Sequence, residues 1–258
     1  MIHILAVHAH PDDIETLAAG TLALLAATGC RITIATLTAG DCGSAEFSPQ
    51  ETARIRTFEA AEAAAIIGAD YHCLGIGDLA VFNDDPSRRL VTGLIRACAP
   101  DVVLTSAPAD YHPDHEATSL LVRDGCFAAS APNYAAGEAP PLRAIPHLYF
   151  TDPIGGRDRE GRRIPPHFAV DISRWFPTKR AMLATHLSQA AWLLKQHGIV
   201  DPLGSMEAWS RRRGRDFGVQ YAEGFRHYRH EPYPRSPLLQ ELLGAAALTA
   251  PPDPLVRA

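Results

Sequence analysis

The sequence lacks a basic excess: 24 lysines and arginines stand against 29 aspartates and glutamates, leaving a formal charge of −5. With nothing to neutralise a phosphate backbone, nucleic acid is excluded as an obligate partner. The local exception is Arg211-Arg212-Arg213 with Arg215, which reads as a solvated face. Cysteine is sparse and irregular. The five residues, at 30, 42, 73, 98 and 126, form no C-x-x-C pair, so no zinc ribbon or thioredoxin-like centre is expected. An odd count without regular spacing fits a reduced, cytoplasmic protein. No apolar run approaches the roughly 18 residues of a membrane span. Met1 to Val7 has no charged leader or cleavage site and reads as a strand. Internal repeats and a dividing linker are also missing. The expectation is one domain over 1–258, with an extended, proline-rich tail from about 231 to 258.

Hydrophobic residues make up 47% of the chain, enough for a real core. Ile2 to Val7 is a short apolar run of the kind buried on both faces of a sheet. A helix is predicted from about Asp13 to Thr28, a strand over Arg31–Leu37 and a helix over Gln50–Ile67. A strand follows over Tyr71–Leu74, a helix over Ser87–Cys98 and a strand over Asp101–Thr105. This alternation implies βαβ units and a parallel sheet. The fold class is therefore α/β: a Rossmann-like, mainly parallel sheet flanked by helices, with an irregular C-terminal half. In that half, 131–146 and 152–163 read as loops, His147–Phe150 and His167–Ile172 as strands, Ser173–His197 as one long helix, and Leu238–Leu243 as a short helical patch.

Ligand crevices of such sheets lie beyond the C-terminal ends of the strands. The two richest polar clusters sit there. One is His10-Pro11-Asp12-Asp13-Ile14-Glu15, the other His112-Pro113-Asp114-His115-Glu116. Each brings imidazole and carboxylate together at short spacing, a donor set suited to zinc and other first-row divalent metals. A catalytic zinc takes three protein ligands and keeps a position open. Two neighbouring aspartates do not readily point the same way, so one can bind metal while the other accepts a proton from water. No G-x-G-x-x-G phosphate loop follows the first strand, which disfavours a non-enzymatic nucleotide-binding or metal-binding Rossmann-like module.

Ala9-His10-Pro11-Asp12-Asp13-Ile14-Glu15 and His112-Pro113-Asp114-His115 resemble the paired signatures of the PIG-L (LmbE-like) family of N-acetylglucosaminyl deacetylases. The resemblance runs from residue 2 to roughly 130 and more weakly to Tyr221–Tyr228. It implies that His10, Asp13 and His115 hold the metal and that Asp12 is base and then acid. It further implies that His112 stabilises an oxyanion, with Asp114 orienting it. By the same resemblance Arg56, in Arg56-Thr57-Phe58-Glu59, and Asp78 contact substrate, and Asp41 helps to position the first loop. Some members carry a tyrosine two residues before the second motif; here Asp110 stands there and Tyr111 comes next, a further substrate-binding candidate.

The expected activity is a zinc-dependent hydrolase that removes an N-acetyl group from an N-acetylglucosamine-type amino sugar or conjugate. Iron(II), manganese or cobalt suit the same ligands. An amidase acting on a larger N-acyl or sugar-linked conjugate would use the same site. Lys179, His186 and Gln189 fall on one face of the long predicted helix and read as a polar brace beneath it. The apolar tail suggests a homo-oligomer contact.

Overall fold

A computed structural model describes residues 1–198 and 200–249; the last part of the proline-rich tail, 250–258, lies outside the described residues. Among the described residues, eight strands form one sheet. They are β1 (His3–His8), β2 (Arg31–Thr38), β3 (Asp70–Ile76), β4 (Val102–Thr105), β5 (His147–Thr151), β6 (Phe168–Asp171), β7 (Ala222–His227) and β8 (Ala247–Thr249). Their order is β3-β2-β1-β4-β5-β7-β6-β8. The first five pair in parallel. The last three extend the sheet as an antiparallel wing, so the C-terminal half contributes regular structure to the same layer.

The central strand β1 is buried along its whole length, which is why it reads as an unbroken apolar run. Its alternate residues serve opposite layers. Ile4 and Ala6 pack with Leu22 and Leu25 of α2 (Ala19–Ala27), Ala63 and Ala64 of α3 (Pro49–Ala65), and Met182 of α6 (Phe176–Leu183). Leu5 and Val7 pack with Val91 and Ile95 of α4 (Asp85–Cys98) and with Leu121 and Val122 of α5 (Pro113–Ala129). Among the described residues, no helix is long and apolar enough to cross a membrane.

Two of the predicted helices are each broken in two, and both breaks have an ionic cause. The segment expected as Asp13–Thr28 is α1 (Asp13–Leu17) followed by α2, with a non-helical Ala18 between. Glu223 of β7 reaches into the break. Its carboxylate accepts from the Gly20 and Thr21 amides at 3.0 and 2.8 Å and from the Thr21 hydroxyl at 2.6 Å. Lys179 donates to the Thr16 carbonyl at 2.7 Å and pairs with Glu223 at 2.7 Å. Thus an anion meets the N-terminus of α2 and a cation the C-terminus of α1, the favourable sign at each end.

The segment expected as Ser173–His197 likewise splits into α6 and α7 (Leu187–His197). Here Glu59 of α3 caps α7, accepting from the Ser188 amide at 2.9 Å and its hydroxyl at 2.6 Å. The expected brace is thereby divided. Lys179 sits on α6, while His186 and Gln189 belong to the start of α7.

The arginine run also departs from expectation. It lies on α8 (Pro202–Phe217), and Arg213 is buried, with Nε and Nη2 both 2.8 Å from the Asp152 carboxylate. Helical periodicity turns one of the four arginines inward, where Asp152 offsets its desolvation. Arg211 is exposed, as expected.

Lys179 and Glu223 are almost wholly buried. Removing one partner strands the other charge, so Lys179→Met is expected to cost about 3–5 kcal/mol in urea unfolding. A loss below about 1 kcal/mol would show that the helix break does not depend on this pair.

Candidate active site

Both H-P-D loops emerge at the C-terminal edge of neighbouring strands. β1 ends at His8 and β4 at Thr105, with Val7 opposite Thr105 in the ladder. The first loop turns sharply. Asp12 takes φ 92°, the left-handed region that a non-glycine residue enters at a cost and aspartate tolerates better than most. The two aspartates consequently meet different partners. Asp12 Oδ2 lies 3.6 Å from Arg56 Nη2. Asp13 Oδ1 lies 3.3 Å from His115 Nε2, and its Oδ2 lies 3.5 Å from His10 Nδ1 and accepts from the His10 amide at 2.9 Å.

The second loop opens α5. Pro113 begins the helix, where a missing N–H costs nothing, and His115 follows within the first turn. The Asp114 amide donates to His112 Nδ1 at 3.2 Å. That nitrogen must then be an acceptor, so a neutral His112 carries its proton on Nε2. Burial, reinforced by the charges of His10 and His115, holds the His112 pKa below the usual imidazole value and favours this neutral form.

The outer nitrogens of the other two imidazoles are held by carboxylates. His10 Nε2 is 3.0 Å from Asp78 Oδ1 and 3.2 Å from Asp114 Oδ2. His115 Nδ1 is 3.2 Å from Asp110 Oδ1. Carboxylates behind ligating histidines fix ring orientation and raise basicity, the usual support of a metal site. His10 Nδ1, the Asp13 carboxylate and His115 Nε2 thereby converge. This donor set fits a divalent first-row metal. His10, His112 and His115 also bring ligand atoms within 4.8 Å of one another. Asp13 makes the better third donor, since it already bridges the two inner nitrogens while His112 is turned by the Asp114 amide.

Charge in this cluster is mutually supported. Burial alone would depress the His10 and His115 imidazoliums. Asp114, Asp13 and Asp78 outweigh it at His10, and Asp13 and Asp110 raise His115 to about 10. Asp13 is drawn well below the carboxylate range despite burial, by His115 and His10. Asp12 differs. Burial pushes its carboxyl up to about 6, against the pull of Arg56.

The chain is similar to known proteins. The family model for PIG-L, described as GlcNAc-PI de-N-acetylase, matches residues 5–126. A conserved protein of Thermus thermophilus, solved by crystallography, is 31% identical, covering 92% of this chain and 100% of that one, with a TM-score of 0.72. The chain belongs to the PIG-L family. Among its relatives is a 1D-myo-inositol 2-acetamido-2-deoxy-alpha-D-glucopyranoside deacetylase of Thermomonospora curvata, 28% identical over 84% of this chain and 88% of the relative. Another is a 4-oxalmesaconate hydratase of Pseudomonas putida, 30% identical over 55% of this chain. That match spans 60% of the hydratase's length.

Against the PIG-L pattern, several expected substrate contacts are occupied with protein groups. Arg56 donates to the Pro11 carbonyl at 2.7 Å and the Gly40 carbonyl at 2.9 Å, gripping the first loop from below. Gly40 is required there: with φ 64°, an added Cβ would lie 1.9 Å from Arg56 Nη1. Asp78 is committed to His10 and to the Cys42 amide at 3.2 Å, and Asp41 accepts from the Asp78 amide at 3.0 Å. Asp41 therefore positions the Asp78 loop and not the first loop. Asp114 orients His112 through its backbone, while its carboxylate serves His10 and the Leu79 amide. Tyr111 is 61% exposed at the mouth, edge-on to both His112 and His115.

Asp110, as a partner of His115, is a site residue that the two motifs do not announce. Its one cue is its place two residues before the second motif, where some PIG-L members carry tyrosine. Glu15 closes the first motif and His186 belongs to the expected brace, but their pairing, 3.4 Å apart behind Asp12, has no local cue, because the two lie far apart in the chain. If Asp110 supports a metal ligand, Asp110→Ala weakens zinc binding by about 10–100-fold in competition with a chromophoric chelator. Unchanged affinity in a folded variant would remove that role.

Proposed function

We propose that the chain is a metal-dependent amide hydrolase acting on an N-acylated amino sugar or a conjugate of one. The observation that carries the reading is the convergence of His10, Asp13 and His115, with Asp12 beside them and held apart by its left-handed turn. Zinc is the expected ion, and iron(II), manganese or cobalt suit the same donors. A divalent ion bound there supplies a Lewis acid that acidifies water and polarises an amide carbonyl.

The side chains then divide the work. Asp12, with a carboxyl pushed up to about 6, accepts a proton from the attacking water near neutral pH. The same group, now protonated, passes that proton to the departing amine nitrogen. His112, neutral with hydrogen on Nε2, donates to the oxygen that gains charge as the carbonyl carbon becomes tetrahedral. Arg56 holds the Pro11 carbonyl and so fixes where Asp12 points.

A recess of about 320 Å³ opens beside these groups, lined by Arg56, Asp78, His112, Gln189 and Gln196. These polar groups, set among Leu79, Trp192 and Leu193, suit an amine that carries several hydroxyls, such as glucosamine. The name of the T. curvata relative, a deacetylase of an acetamido sugar, supports this choice.

The hydratase relative supports a second reading, addition of water to a carbon–carbon double bond in a small polycarboxylate. Such a substrate calls for several cations. Among the described residues lining the site's recesses, the guanidinium groups are Arg56 and Arg212, and Arg56 is spent on loop carbonyls. This disfavours the hydratase reading.

Asp12→Asn is expected to retain zinc and to lower amine release from N-acetylglucosamine conjugates by about 10²–10⁴-fold. Metal analysis beside an amine assay checks both halves. A variant within about tenfold of the parent would sink Asp12 as the base. Hydration of an unsaturated polycarboxylate without amine release would favour the second reading.

A further inference from the structure

A second and larger recess, about 720 Å³, opens on the other side of the same cluster. Asp12, Asp13, Tyr111, His115 and Gln189 line both recesses, so the two meet where the scissile bond must lie. Their walls differ in kind. The larger one is the more apolar, built from Leu183 of α6, Leu187 of α7, and Leu203, Met206 and Trp209 of α8. Among the described residues Leu187 is 73% exposed, an apolar surface on the cavity wall.

An amide has two ends. A bond cleaved at the junction sends its nitrogen substituent one way and its acyl substituent the other. The polar recess receives the amine side. An acetyl group would place a single methyl at the mouth of the apolar one, whose volume lies within the range of about 300–1,000 Å³ that holds a drug-sized ligand. We propose that the apolar recess is an acyl-chain site, and that the preferred substrates carry acyl groups of several carbons in place of acetyl. The inference rests on the hydrolase reading and names the acyl half of its substrate.

Filling the recess removes apolar surface of both chain and wall from water. That burial corresponds to a gain of about three- to fourfold in kcat/KM for each methylene that fits.

The test uses the full-length, zinc-loaded protein with N-acetyl-, N-butanoyl-, N-hexanoyl- and N-octanoylglucosamine, measuring amine release. The expected result is a kcat/KM that climbs along the series. Ala190→Trp, which sets an indole in the recess lining, is expected to lower the octanoyl-to-acetyl ratio by about tenfold or more. Because the ratio is taken within one protein, a general loss of folded enzyme cancels. A flat series, or one that falls from acetyl, overturns the proposal while leaving the hydrolase reading intact. A gain for the octyl glycoside of N-acetylglucosamine, without a gain along the acyl series, overturns it by giving the recess to the aglycone. Amine release from no member of either set overturns the hydrolase reading, and the acyl site with it.

Discussion

The hydrogen-bonded ladder between β1 and β4 is the constraint on which the site depends. Val7 and Thr105 are 98 positions apart in the chain yet face each other across neighbouring parallel strands. Each strand feeds an H-P-D turn off the same edge, at the point where the order β3-β2-β1 gives way to β4-β5. A crevice opens at such a switch because the connections on either side run to opposite faces. Neither loop is a site by itself. The first supplies His10 and Asp13, the second His115, and the backbone pairing sets the distance between them. Shifting β4 by one residue would exchange the layers its side chains serve and displace His115 from Asp13.

Around that ladder the protein spends buried charge to hold loops that have little regular structure. Arg56 and Glu59, both on α3, show the division. The arginine pulls in the first loop by its carbonyls, and the glutamate caps α7, which carries Gln189 to the rim. Glu223 and Lys179 do the equivalent for α1 and α2, the glutamate from the antiparallel wing and the lysine from α6. Asp152 and Arg213 tie the end of β5 to α8, which supplies walls of the larger recess. Isolated, each of these charges would be costly to bury; each is offset by a partner or by backbone groups at helix ends and turns. The wing after β5 thus anchors the catalytic end from behind.

How much of this was legible in the sequence follows from the range of the signal. The parallel strands announced themselves as apolar runs, and His10, Asp12, Asp13 and His115 as two short motifs beyond strand ends. The helix breaks at Ala18 and before Leu187 were not legible. Local composition there favours continuation, and the groups that interrupt it, Glu223 and Glu59, arrive from 205 and 128 residues away by chain count. Arg213 was misread for the same reason, since its partner Asp152 lies on another element. The protein partners of Asp78 and Arg56 were not legible either, because a motif says which residues gather and not which atoms they face. Asp110 was the one outer carboxylate within local reach.

The relatives sharpen what a scaffold decides and what it leaves open. The relatives of this chain include a deacetylase and a hydratase, two names for different reactions on similar sequences. The edge of β1 and β4 and the carboxylates behind His10 and His115 fix the imidazoles, whichever substrate the walls admit. Selection falls to the walls. Here Arg56 is turned onto loop carbonyls and Arg213 onto Asp152, which leaves Arg212 as the guanidinium on the larger recess. What remains facing the cluster is a polar recess on one side and, on the other, leucines, Met206 and Trp209 from helices that belong to the C-terminal half. The H-P-D loops and the carboxylates behind them thus come from within the family match at 5–126, while the helices that wall the larger recess lie outside it.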